Sequence, residues 1–145
     1  MMTLSKSLPA WTYTSNEFFE LEKNSLFLCN WQLICHTSNI PNIGDYFTLN
    51  IFHERILVIK GNDNVIRAFH NVCSHRATKL LDKNSGNCKK RISCPYHAWG
   101  YDLQGNLIKV PHQDEFKELD KSKHGLKPIE MEIFQGFIFV RLIST

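Results

Sequence analysis

The rhythm of apolar and polar positions changes near residue 45. Before it, Phe18, Phe19, Leu21, Leu26, Phe27 and Leu28 are spaced as one apolar face of a helix from about 16 to 29. Thr14-Ser15-Asn16-Glu17 places a hydroxyl three residues ahead of a carboxylate, which fits a capping box. Trp31–Cys35 reads as a short strand, and Pro41-Asn42-Ile43-Gly44-Asp45 as a turn. From Tyr46 onward the runs are short and β-rich: 46–52, 55–60, 65–69, 91–93, 98–103, 107–110, 127–134 and 137–142. Gly61-Asn62-Asp63-Asn64, Gln104-Gly105-Asn106 and Gln135-Gly136 supply turn chemistry between them. The polar stretch 81–86 reads as a loop, and 112–121 as a loop with one helical turn. The expected fold is mainly β, an antiparallel β sandwich or small barrel with an N-terminal helical arm. The arm is expected over 1–45 and the β domain over 46–145.

Composition narrows the class. The chain has 145 residues, 43% of them hydrophobic, which suits one domain with a real core. Seventeen Lys and Arg against 14 Asp and Glu give a net charge of +3, too small and scattered for a nucleic-acid footprint. No apolar run approaches the roughly 20 residues of a membrane helix, and the first ten residues lack a signal-peptide core. Five cysteines without a secretory signal argue against a disulfide framework and for a reducing cytoplasmic setting. Bound metal or free thiols remain.

Two fragments concentrate the candidate chemistry: Cys73-Ser74-His75 and Cys94-Pro95-Tyr96-His97. Each offers a thiolate and an imidazole, and eighteen residues separate His75 from Cys94. Two Cys and two His can hold a tetrahedral zinc, although a single residue between Cys73 and His75 is short for a zinc pair. The same set suits a [2Fe-2S] cluster, with both cysteines on one iron and both histidines on the other. Each fragment would then span the cluster, which demands rigid loop tips. Pro95 stiffens one of them by fixing φ.

Asn71-Val72-Cys73-Ser74-His75-Arg76 and the run from Cys94 to Gly105 (Cys-Pro-Tyr-His-Ala-Trp-Gly-Tyr-Asp-Leu-Gln-Gly) resemble the Rieske motif. In particular they resemble the N-terminal part of the α subunit of ring-hydroxylating and related Rieske non-haem iron oxygenases. The arm with Glu17, Phe27 and Trp31, the Gly44-Asp45-Tyr46 start of the sheet and the closing Gly136–Val140 extend the likeness over nearly the whole chain. Two features depart from it: the eighteen-residue interval between His75 and Cys94, about one residue longer than in that family and absorbed by the polar 81–86 loop, and Ala77 where glycine is common.

The resemblance implies a Rieske [2Fe-2S] cluster held by Cys73, His75, Cys94 and His97, within a subdomain of about 71–105. It implies one-electron transfer from a reductase or ferredoxin to a mononuclear Fe(II) in a catalytic domain of the same or a neighbouring subunit, often within a homotrimer. No catalytic residue and no later two-His, one-carboxylate set occurs before Thr145. The expectation is therefore an oxygenase fragment, a split subunit or an isolated domain. The alternative is a self-contained Rieske ferredoxin, against which the 45-residue arm speaks.

Neighbouring residues carry smaller expectations. Tyr101 aligns with a tyrosine that donates to a ligand sulfur in respiratory Rieske proteins, whereas their loop disulfide cannot form here, since Thr78 and Tyr96 stand at those positions. Fewer donors to sulfur imply a potential toward the low end of the Rieske range, roughly −150 mV. Trp99 is read as shielding and Cys29, Cys35 and Cys88 as structural thiols. Lys83, Lys89, Lys90 and Arg91 form a basic run that is either a solvated face or a contact for an acidic donor.

Overall fold

The structure, a computed structural model, describes residues 7–116 and 118–143. The start of the chain, residues 1–6, and its end at Thr145 lie outside the described residues. A helix α1 (Asn16–Glu22) runs on into a wider π-type turn, Lys23–Phe27. The strands are β1 (Gln32–His36), β2 (Asp45–Ile51), β3 (Glu54–Lys60), β4 (Ile66–His70), β5 (Ser85–Asn87), β6 (Ile92–Ser93), β7 (Gly100–Tyr101), β8 (Leu107–Lys109), β9 (Pro128–Phe134) and β10 (Phe137–Arg141).

The central strand explains the layering. Ile56, Leu57, Val58 and Ile59 of β3 are all fully buried. Successive side chains of a strand point to opposite faces, so an unbroken apolar run is covered on both sides. Ile56 and Val58 join Ile34, Ile40, Ile129, Ile138 and Val140 in one core. Leu57 and Ile59 join Phe69, Leu80, Ile92, Trp99, Tyr101, Leu103 and Leu107 in the other. Each such side chain removed from water contributes about 1.5–3 kcal/mol. The second core ties the candidate loops to the main sheet.

The main sheet is antiparallel, in the order β1-β10-β9-β4-β3-β2-β5, and β6-β7-β8 form a small second sheet. The mainly β, antiparallel expectation holds. At the β9–β10 turn both residues have positive φ (Gln135 49°, Gly136 83°), which matches strand twist in a two-residue hairpin. A Cβ on Gly136 would stand 2.3 Å from His36 Nε2, so glycine is required there on two counts.

Three expectations change in detail. The helix cap is Ser15, not Thr14: the Phe18 N–H donates to Ser15 Oγ at 3.2 Å. The stretch 81–86 read as loop runs at its end into an exposed edge strand on β2, Ser85–Asn87. The 98–103 run narrows to the two residues of β7. On the arm, Phe19 and Phe27 each meet Phe52 edge-on at 5.6 Å, while Phe19, Leu21 and Leu26 keep much of their surface exposed. Among the described residues no helix is long and apolar enough to cross a membrane.

Candidate metal centre

Both candidate loops are built on the same turn. In the first, the Cys73 N–H donates to Thr78 O (2.8 Å) and the Ala77 N–H to Cys73 O (2.9 Å). In the second, between β6 and β7, the Cys94 N–H donates to Trp99 O (2.8 Å) and the Ala98 N–H to Cys94 O (3.1 Å). The fifth residue of each turn is left-handed: Ala77 at φ 51° and Ala98 at φ 54°. That conformation accounts for the glycine expected at Ala77. The turns differ in one respect. The imidazole is third in the first (His75) and fourth in the second (His97).

The four side chains sort by depth. Cys73 and Cys94 are buried, whereas His75 and His97 are half-buried. The two imidazole rings stand 4.8 Å apart at 64°. Burial pushes the Cys73 thiol up, opposed by the Tyr101 hydroxyl and the His75 backbone N–H and reinforced by the adjacent Cys94 thiol. Burial, then His97 and Arg76, pull His75 below the usual imidazole range. That favours the neutral imidazole a metal needs.

Surrounding residues fix these positions. Tyr101 is fully buried and its Oη lies 3.1 Å from Cys73 Sγ. The same oxygen accepts the Ser74 N–H at 3.1 Å, which leaves the phenol proton free for the sulfur. Trp99, 3% exposed, stacks parallel to His75 at 4.8 Å, consistent with shielding. Tyr96, 60% exposed, stacks on His97 at 3.8 Å. The imidazoles open on a cavity of about 340 Å³, also lined by Trp99, Pro111, His112, Glu115 and Phe116.

Two contributors escaped the sequence reading. Buried Asn71 gives Nδ2–H to Leu81 O (2.8 Å) and accepts the Leu81 N–H at Oδ1 (3.1 Å), closing the base of the first loop. Phe116 stands edge-on to both His75 and Trp99 at 6.3 Å. A polar residue two places before Cys73 was a usable signal for the first; the second depends on a long-range fold-back with no local signal. Cys35 and Cys88 are pushed up to about 11 by burial, in keeping with structural thiols. Among the described residues, no three His, Cys, Asp or Glu side chains surround one metal position. The thiols pair at depth and the imidazoles pair near the surface.

This division of donors meets an independent finding: the sequence model of the Rieske [2Fe-2S] domain matches residues 30–127. The chain belongs to the Rieske [2Fe-2S] domain family. The domain carries a [2Fe-2S] cluster as its cofactor and serves one-electron transfer. The matched span contains both candidate loops, the buried thiols and the half-buried imidazoles.

Relatives agree. The carnitine monooxygenase oxygenase subunit of Acinetobacter baumannii is 39% identical over 138 residues, covering 92% of this chain and 37% of that one. The large oxygenase component of the naphthalene 1,2-dioxygenase system of Pseudomonas aeruginosa is 40% identical over 126 residues, 85% of this chain and 28% of that one. A solved structure of the quaternary ammonium Rieske monooxygenase CntA with L-carnitine is similar at TM-score 0.88 and 38% identity, over 94% of this chain and 39% of that one. This Rieske chain thus spans little more than a third of the carnitine relative's length.

Proposed function

We propose that Cys73 and Cys94 hold the inner iron and His75 and His97 the outer iron, and that the domain relays single electrons within a Rieske oxygenase. When bound, the cluster supplies a centre that takes up and gives back one electron. The observation that carries this reading is the depth sorting of donors on twin turns, sulfur inside and nitrogen at the mouth. Thiolates buried with the Tyr101 donor suit the side where charge must be stabilised away from water. Partly exposed imidazoles suit the side that must face a redox partner.

The chain's residues divide the remaining work. Tyr101 donates to the Cys73 sulfur and stabilises negative charge there. Trp99 and Phe116 keep water from one face of His75. The proposed electron source is a reductase or ferredoxin in the cytoplasm, and the acceptor a mononuclear iron in a catalytic domain of the same or a neighbouring subunit, assembled as a homotrimer. Similarity of 39% to a carnitine enzyme and 40% to a naphthalene enzyme does not discriminate between substrates, as expected of an electron-relay domain. We propose domain limits of 1–45 for the arm and 46–145 for the Rieske body, with 71–105 as the cluster-binding subdomain.

The test is an iron and acid-labile sulfide count on anaerobically purified protein, with electron paramagnetic resonance of the reduced form. The reading requires two irons, two sulfides and a Rieske-type signal that changes when either His75 or His97 becomes cysteine or alanine. A metal-loaded protein without labile sulfide, or a signal indifferent to both histidines, overturns it.

A further inference from the structure

The basic run before the second loop is not used by the site described so far, and the structure gives it a definite form. Lys89 and Lys90 stand in a turn closed by the Arg91 N–H donating to Cys88 O at 3.2 Å. Lys89 holds a left-handed backbone, φ 53°, a conformation that disfavours a residue with a Cβ. Its N–H donates to Asn87 Oδ1 at 2.6 Å, and Asn87 is itself tied to Ile43 O and Asp45 Oδ1. The turn is therefore built rigidly, at a local cost, although its two lysine side chains point to solvent.

The small sheet extends the positive surface. Gly100 pairs with both Ser93 and Lys109. A Cβ on Gly100 would meet Lys109 Cβ at 3.0 Å and Arg91 Cδ at 3.9 Å, so the exposed Arg91 and Lys109 flank and cover the same buried glycine. Among the described residues, Lys89, Lys90, Arg91 and Lys109 have no carboxylate within ion-pair distance. Arg91 precedes Cys94 by three residues, so their Cα atoms are at most about 11 Å apart. The imidazole mouth, by contrast, mixes charges: Glu115 and His112 line it, and the Arg76 charge reaches His75.

We propose that Lys89, Lys90, Arg91 and Lys109 form the docking surface for an acidic one-electron donor protein, separate from the imidazole mouth. This rests on the electron-relay reading above. One electron leaves the donor, which is oxidised, and the Rieske domain is reduced by one; no bond is made or broken. Unpaired cations on a rigid surface speed encounter with an acidic partner by about 10- to 1000-fold, and salt removes the gain.

The experiment uses the cluster-loaded full chain and stopped-flow reduction by a prereduced acidic plant-type [2Fe-2S] ferredoxin. Reduced methyl viologen, a small cation, serves as the second reductant. The triple variant Lys90→Glu, Arg91→Glu, Lys109→Glu is expected to slow the ferredoxin reaction at least about tenfold at low salt. The difference should shrink toward unity at about 0.15 M salt, where the Debye length is ~8 Å. Viologen should reduce wild type and variant equally well or the variant faster. An unchanged ferredoxin rate, or an equal loss in Lys23→Glu on the arm, overturns the docking surface alone. Failure of viologen to deliver an electron to the wild type overturns the relay reading, and the docking surface with it.

Discussion

The two candidate loops share a backbone but are held in place differently. The first, Cys73–Thr78, leaves the main sheet after β4 and, among the described residues, has no strand partner of its own beyond a single bridge between Val72 and Lys79. It is fastened by side chains: Asn71 to Leu81, Tyr101 to Cys73 and Ser74, and Ser74 Oγ–H to Gly125 O at 2.8 Å. The second, Cys94–Trp99, is the tip of the β6–β7 hairpin, with Ser93 opposite Gly100 and Ile92 opposite Tyr101. Among the described residues the one side-chain hydrogen bond that reaches it joins the two thiols, Cys73 and Cys94. A hairpin closes its own tip through local strand pairing. An excursion from the end of an interior strand must recruit distant polar groups to reach the same shape. The symmetric arrangement of donors therefore rests on an asymmetric scaffold, and the two halves should fail differently.

The largest effect ought to be the one that ignores the asymmetry. Cys73→Ala and Cys94→Ala each remove a thiolate that no neighbour replaces, and both are expected to abolish labile sulfide completely in a direct sulfide count. Retention in either variant would break the equivalence of the loops. The next effect is one-sided. Asn71→Leu leaves the Leu81 N–H and C=O without partners in a part-buried site, at a cost of about 2–3 kcal/mol. Urea unfolding of the cluster-free chain reads that loss directly, and the second loop has no position with a comparable penalty.

Tyr101→Phe is smaller and also belongs to the first loop. It removes one hydrogen bond to Cys73 sulfur and one from Ser74 N–H, about 1 kcal/mol of stability. A hydrogen bond to sulfur favours the reduced, more negative state. Its loss is therefore expected to lower the potential by roughly 40 mV, the one-electron equivalent of ~1 kcal/mol. Protein-film voltammetry near neutral pH checks both sign and size. A rise in potential would mean that the phenol proton is not directed at the sulfur.

How far these features could be read beforehand follows the same local-versus-distant division. The run 55–60 announced a strand and Gln135-Gly136 a hairpin, because both signals are local, whereas the cover on both faces of Ile56–Ile59 emerges only in the structure. Cys73-x-His75 and Cys94-x-x-His97 stood out as a unit because the residues around both fragments resemble the Rieske motif. β5 was not: Ser85, Gly86 and Asn87 have poor strand propensity, and only the free edge of β2 makes them extended. Asn71 stood next to the motif, but its partner Leu81 is ten residues away, and Phe116 reaches His75 from forty-one residues downstream. Contacts of that kind are created by the fold and leave no periodic trace.

The finest test concerns what the loops share. Ala77 and Ala98 sit at nearly the same left-handed φ, 51° and 54°, and an L-residue there costs roughly 1–2 kcal/mol. Glycine relieves that strain but loses about 0.5–1 kcal/mol more chain entropy on folding. Ala77→Gly and Ala98→Gly are each expected to stabilise the cluster-free chain by about 0.5 kcal/mol net, and the double variant by about twice that. Denaturation midpoints at constant slope read it. Equal gains mean that the backbone turn is the common element and the side-chain fastenings only position it. A gain confined to Ala98 would mean that Asn71 and Tyr101 hold the first loop so firmly that its own turn no longer sets its conformation.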